Sequence, residues 1–300
     1  MESALTLTAK DCLNPELLQN IRKADFTGIN FRYEDAFFAA PEPEALLLQI
    51  KNNLDAAGLV CPQVCLPSRG IMASCDYSDS KTEGQIEFAL RTMPLLGAQW
   101  GAMQPLSAVN HGYCTEKAME DNLQRFRKYL DFARQYGVGI AVENPMPLQE
   151  QEIQRFCAEP ETLCTFVDQL DRDNVGICWN FGHASHLGRD SFGRDTKPEF
   201  DHAAAVEQLG SRIKAIHLSD NFGDGHWRLP PGIGKLGWFD QLPNLLAILL
   251  RSGFSGFLTL DCDLEQGRHF PGLESAYITL CAEAAASYTE EAQQRLGGAS

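Results

Sequence analysis

The chain lacks any uninterrupted apolar run of the roughly 18 residues that a membrane-spanning helix needs, so no transmembrane segment is expected. Met1–Lys10 lacks a basic stretch followed by an apolar core, so no secretory signal is expected either. The 10 cysteines include no C-x-x-C pair and are scattered along the chain, which reads as reduced thiols of a cytoplasmic protein rather than a disulfide framework. Basic clusters are also lacking. Lys and Arg number 25 against 40 Asp and Glu, a formal net charge of −15, and such a chain has no footprint for a nucleic-acid phosphate backbone. No G-x-G-x-x-G turn follows an early strand (the spacing at Gly232-Ile-Gly234-Lys-Leu-Gly237 comes late, after two prolines, and reads as a loop), and no low-complexity linker divides the chain, so residues 1–300 are read as one domain.

What is present is a repeated alternation. Short apolar segments at Ala4–Leu7, Gly28–Phe31, Leu59–Leu66, Ala98–Gln104, Val138–Glu143, Val175–Asn180, Ile213–Leu218 and Gly256–Asp261 read as strands. Helical patterns separate them. Asn14-Pro15 is an N-cap followed by proline at the first helical position, and Gly58, Gly97 and Gly137 stand where helices end. The helix before the last strand is expected over Trp238–Ser252, and a closing helix over Leu273–Ser287. Eight strand–helix units close most naturally as a (β/α)8 TIM barrel of α/β class. A doubly wound open sheet would call for a glycine-rich phosphate turn. The longer irregular pieces, 67–80, 187–198 and 219–237, follow strands, and in a barrel such loops gather at the carboxyl-terminal face, where active sites lie.

The stretch from Ile213 to Gly234 organises the chemistry. It leaves a short strand at His217 and enters a loop carrying Asp220, Asp224, His226 and Arg228. Strand alternation places His217 on the same face as small Ala215. Three other strands repeat this pattern. Gly139, Ala141 and Glu143 share a face, as do Gly176, Cys178 and Asn180, and as do Thr259 and Asp261. A single carboxylate at a strand end is often a helix N-cap. Four polar residues ending four small-residue faces instead point to convergence in one barrel mouth. Carboxylate, amide oxygen, imidazole and carboxylate make a donor set for one divalent ion, Mn²⁺, Mg²⁺ or Zn²⁺, so Glu143, Asn180, His217 and Asp261 are the candidate ligands. Paired carboxylates also suit proton removal and return beside a carbonyl, which makes Glu143 and Asp261 the candidate catalytic residues.

The segments Val142-Glu143-Asn144-Pro145, Cys178-Trp-Asn-Phe-Gly-His183-Ala184, His217-Leu-Ser-Asp-Asn221, Asp224-Gly-His226 and Pro231-Gly-Ile-Gly234 resemble the xylose isomerase-like TIM barrel superfamily of sugar isomerases and epimerases, inosose dehydratases and family 2 AP endonucleases. The resemblance runs from the second strand through the eighth. It implies one divalent metal held by Glu, Asp, His and Glu at the four strand ends. Here Asn180 stands for the aspartate and Asp261 for the second glutamate. Nuclease members usually carry histidines where Cys65-Leu-Pro and Gln104-Pro end the third and fourth strands, so nuclease activity is not expected. In sugar-acting members the loop residues contact substrate, which makes His183, Asp224, His226 and Arg228 the candidate substrate-binding residues. Trp100, Phe181 and Trp227 are candidates to pack on a sugar face.

The expectation is therefore a metal-dependent sugar or sugar-phosphate isomerase or epimerase working through an enediolate on a small carbohydrate, with no nucleic-acid or membrane partner. A dehydratase using the same base, and a non-catalytic sugar-binding barrel, are the alternatives. Exposed barrel helices leave self-association as a homo-oligomer open.

Overall fold

The strand segments extend and pair because each places β-branched and aliphatic side chains on one face and small or polar ones on the other. In the computed structural model they are β1 (Ser3–Leu7), β2 (Gly28–Arg32), β3 (Val60–Cys65), β4 (Trp100–Met103), β5 (Gly139–Glu143), β6 (Val175–Asn180), β7 (Ile213–His217) and β8 (Leu258–Leu260). The structure describes residues 1–67, 71–72, 80–108, 115–147, 155–188, 200–223, 225–234, 241–268 and 272–297. All eight strands are parallel, in the order β8-β1-β2-β3-β4-β5-β6-β7. The last seam is closed just beyond β7. Leu218 donates its N–H to the Thr259 carbonyl and accepts from the Asp261 N–H, both at 2.8 Å. The result is the expected (β/α)8 barrel. Two further strands of two residues each, Ile71–Met72 and Ser107–Ala108, pair with one another outside it.

Helices cover the outside and start and stop where local chemistry dictates. Asn14 caps Pro15–Lys23 by accepting the Leu17 N–H at 3.2 Å. Pro43–Ala57 ends at Gly58, whose φ of 69° is the left-handed conformation that closes a helix without a Cβ penalty. Several boundaries differ from expectation, and residues 238–240 of the expected helix lie outside the described residues. The eighth strand is only three residues long. The helix before it is Leu242–Arg251, and the closing helix runs from Leu273 to Gly297, ten residues further than its apolar pattern implied. A short helix, Phe181–Ala184, directly follows β6.

The aliphatic faces of the strands pack under the helices in one large apolar core. Inside the barrel lies a second, small cluster of Ala102, Ala141, Cys178 and Ala215, with Trp100 against it. Cross-strand partners keep these residues level, Ala102 with Ala141 and Cys178 with Ala215. The small side chains make room for the Trp100 ring, and a Cβ on Gly139 would collide with that ring. On the other side the interior is polar, with Thr6, Asn30, Gln63 and Thr259 all buried. Among the described residues no helix is long and apolar enough to cross a membrane, and the described cysteines are all free thiols.

Candidate active site

Strand period and barrel closure bring the strand-end residues together at the carboxyl-terminal mouth. Glu143 ends β5, Asn180 ends β6, His217 ends β7, and Asp261 follows Leu260 of β8. Asn180 and His217 are direct cross-strand partners.

Glu143 is the centre of one cluster. Its Oε1 accepts from His217 Nδ1 at 2.7 Å and from Asn180 Nδ2 at 2.8 Å, and its Oε2 accepts from Gln104 Nε2 at 2.9 Å. Burial pushes the carboxyl pKa up. The hydrogen bond and charge of His217 override it, with help from His183 and Asn180, so the group stays well below the usual carboxylate range. His217 is itself 1% exposed. Burial works against its charge, and the sulfurs of Cys178 and Cys65 beside the ring hold its pKa above the ordinary histidine value. Its Nε2 lies 3.2 Å from the Asn30 amide nitrogen, which also donates to Thr6 Oγ1 at 3.0 Å.

Asp261 is the centre of the second cluster. Two guanidinium groups converge on one of its oxygens, Oδ1: Arg32 from the end of β2, and Arg228, whose Nη2 lies at 3.3 Å. The Asp261 side chain is only 3% exposed. Burial raises its pKa, but Arg228 and Arg32 pull it well below the ordinary value. Arg228 is held in the left-handed region at φ 52°, where a non-glycine residue is strained. Its carbonyl is clamped by the Asp263 N–H at 2.9 Å and the Tyr277 hydroxyl at 3.5 Å.

His183 of the short helix and His226 of the loop form a relay beside these clusters. His183 Nδ1 donates to the Asn144 carbonyl at 2.8 Å, which fixes the tautomer. Burial lowers the pKa of both rings, most strongly at His226. In the neutral state His183 Nε2 therefore accepts from His226 Nδ1 at 3.3 Å, and His226 Nε2 becomes a buried acceptor with no partner among the described residues. Asp220 and Asn221 hold the loop in place. Asp220 accepts from the Gly234 N–H at 2.6 Å, and Asn221 accepts from the Trp227 N–H at 2.7 Å and donates to the Gly182 carbonyl at 2.8 Å.

Glu143, Asn180, His217, Asp261, His183, His226 and Arg228 are thus all placed at this mouth, while Asp224 lies outside the described residues. The aromatic candidates are not grouped there. Trp100 pairs with Gly139 at the amino-terminal end of the barrel, Phe181 is buried in the core, and Trp227 is 44% exposed against Phe222. Among the contributors that the sequence did not single out as candidates are Asn30 and Arg32 of β2 and Gln104. The signal was available, because Gly28, Asn30 and Arg32 alternate along β2 as the other four small-and-polar faces do.

The expected metal ligands do not assemble as ligands. Asn180 Oδ1, the oxygen an ion would need, accepts the His183 N–H at 3.0 Å and so caps the helix Phe181–Ala184. What Asn180 turns toward Glu143 is its N–H donor. Asp261 Oδ1 is taken by two arginines. Ligating atoms of Glu143, Cys178 and His217 do lie within 4.8 Å of one another. Within that trio His217 Nδ1 already bonds Glu143, and the Cys178 side chain is fully buried in the small cluster with Ala102, Ala141 and Ala215. The residues present do not fit a divalent ion well.

The xylose isomerase-like TIM barrel family profile matches residues 18–281, and the chain belongs to that family. An uncharacterized protein of Methanocaldococcus jannaschii is 26% identical over 160 residues, 51% of this chain; the match spans about half (49%) of that relative's length. Among solved structures, a D-tagatose 3-epimerase-like protein superposes with a TM-score of 0.68 at 18% identity, covering 99% of this chain and 100% of that one. The E. coli 3-keto-D-glucoside 4-epimerase gives 0.68 at 15%, covering 95% and 99%. The IOLI protein with a bound zinc atom gives 0.64 at 17%, covering 98% and 99%. At these identities the likeness is one of fold.

Proposed function

We propose that this chain is a carbohydrate isomerase or epimerase that moves a proton at the carbon beside a carbonyl. The observation that carries the reading is the meeting of two ionised carboxylates, Glu143 and Asp261, with imidazoles and guanidinium groups at one barrel mouth. Sugar epimerases among the structures of the same fold support the substrate class. Glu143 takes the proton on one side of the carbon; on the other, a water hydrogen-bonded to the Asp261 oxygen that the arginines leave free delivers one, and the proton now on Glu143 neutralises the hydroxide left behind. Both carboxylates sit below their ordinary pKa range and are weak bases, so most of the rate acceleration falls on stabilising the enediolate oxygen. Arg32 and Arg228 are the cations at hand for that oxygen. His226 Nε2 accepts a sugar hydroxyl, and His183 positions His226. A divalent ion would be the other source of positive charge, but the residues at Glu143, Cys178 and His217 do not fit one, and the two guanidinium groups take that part.

The test is deuterium wash-in from D₂O across ketoses, aldoses and their phosphates. Exchange at the carbon beside the carbonyl is expected with at least one substrate. Glu143→Gln is expected to lose on the order of 10²–10⁴-fold in turnover while circular dichroism stays unchanged. A dehydratase would give a product lighter by one water. The tight ion pairing of both carboxylates favours one other reading, a barrel that binds sugar without turning it over. Saturable binding with no exchange across the panel would establish it and overturn the enzyme reading.

A further inference from the structure

We infer that Arg32 and Arg228 replace the divalent ion in this chain, so that the site excludes metal and carries its own two positive charges on side chains. The role given to the arginines in turnover rests on the isomerase or epimerase reading; the exclusion of metal does not.

Charge bookkeeping leads there first. Glu143 and Asp261 bring two negative charges to the mouth, and Arg32 and Arg228, which do not deprotonate in proteins, bring two positive ones. The set is balanced without a dication. An added dication would sit beside two guanidinium groups in a low-dielectric site, where like charges repel most strongly.

Donor geometry agrees. A ligand position must present a lone pair to the ion. Asn180 presents an N–H to Glu143 at 2.8 Å, while its oxygen is engaged at 3.0 Å by the His183 N–H. Rotating the amide to offer oxygen would break both bonds, uncap the helix behind it and leave Glu143 facing fewer donors.

The arginines are also built in rather than incidental. Arg32 reaches the mouth along an interior face whose other members are Gly28 and Asn30, and its side chain is 19% exposed. Arg228 is fixed through a left-handed backbone conformation that is unfavourable for arginine and is clamped from two sides. Its Nε is buried with no acceptor among the described residues. A buried charged donor without a partner is costly, and a substrate oxygen is the acceptor that would satisfy it.

The experiment is metal content and metal affinity in the intact chain. Protein purified without chelator is expected to carry no more than roughly one ion per ten molecules, with a melting temperature unmoved by EDTA or by excess Mn²⁺ or Zn²⁺. The folded double variant Asn180→Asp/Arg32→Met restores a carboxylate and removes one positive charge. It is expected to bind Mn²⁺ at least tenfold more tightly by calorimetry than the parent. Near-stoichiometric metal in the parent, or a melting temperature raised by Mn²⁺, overturns the inference. A folded double variant with no gain in affinity overturns it as well. If that variant fails to fold, the parent measurements still decide. Absence of metal together with absence of proton exchange on every sugar would leave metal exclusion standing and sink the isomerase or epimerase reading, so the two failures are distinguishable.

Discussion

An aspartate in place of Asn180 would keep one of its two side-chain hydrogen bonds and reverse the other. The carboxylate could still cap the helix by accepting the His183 N–H, but it would set a second negative charge against Glu143 Oε1 where a donor now stands. Without metal, Asn180→Asp is therefore expected to lose about 1–3 kcal/mol at neutral pH. Asn180→Ala, which loses the cap and one donor to Glu143, is expected to lose about 1–2 kcal/mol. Urea denaturation of the two variants checks both values, and a neutral result for Asn180→Asp would mean that Glu143 does not need the donor. At this scale much was legible beforehand. Period-two alternation put Glu143, Asn180, His217 and Asp261 on the interior face. Which atom of Asn180 faces the site was not legible, because that depends on a helix N–H three residues on and on a carboxylate from a neighbouring strand. Arg32 was missed although the same alternation marks it.

At the scale of elements, the loop between β7 and the helix Leu242–Arg251 is a scaffold for Arg228 and His226. Asp220 and Leu229 exchange backbone hydrogen bonds at 2.8 and 2.9 Å, and Asp220 and Asn221 side chains tie down the turns on either side. This fixes Arg228 at positive φ, which glycine tolerates and other residues do not. Arg228→Gly and Arg228→Ala remove the same ion pair with Asp261, so the difference between them isolates the backbone. The glycine variant is expected to be the more stable by about 1 kcal/mol in chemical denaturation. An alanine variant of equal stability would show that no strain is stored there. The sequence marked this stretch as a loop with metal-capable and sugar-capable side chains. It did not reveal that Asp220 is spent on the loop's own backbone, since backbone donors such as the Gly234 N–H leave no trace in a residue pattern.

For the whole molecule, the buried thiols set an alkaline limit. Burial pushes Cys61 and Cys178 up to about 12 and raises Cys12, Cys157 and Cys262 as well. An unfolded thiol ionises near 9.0, and the folded one resists until about 12. The stabilisation is therefore complete below pH 9 and is lost as pH rises toward the folded value, at about 1.4 kcal/mol per pH unit for each thiol. Urea midpoints are expected to fall steeply from about pH 9 to about pH 11, with Cys61→Ala giving a shallower slope than the parent. A flat profile over that range would contradict the burial of these groups.

By itself the sequence determined the architecture and which strand-end side chains meet at the candidate site. Both follow from short-range rules: alternation within a strand, caps and glycines at helix ends, and the repetition of a strand–helix unit eight times. Only the tertiary structure decided what the gathered side chains do to one another. Barrel closure sets Arg32 of β2 and Arg228 of the β7 loop, nearly two hundred residues apart, on one oxygen of Asp261. It also turns Asn180 into a cap and a donor. The charge of a site and the direction of its hydrogen bonds are properties of contacts between distant segments, and those contacts exist only once the strands stand side by side.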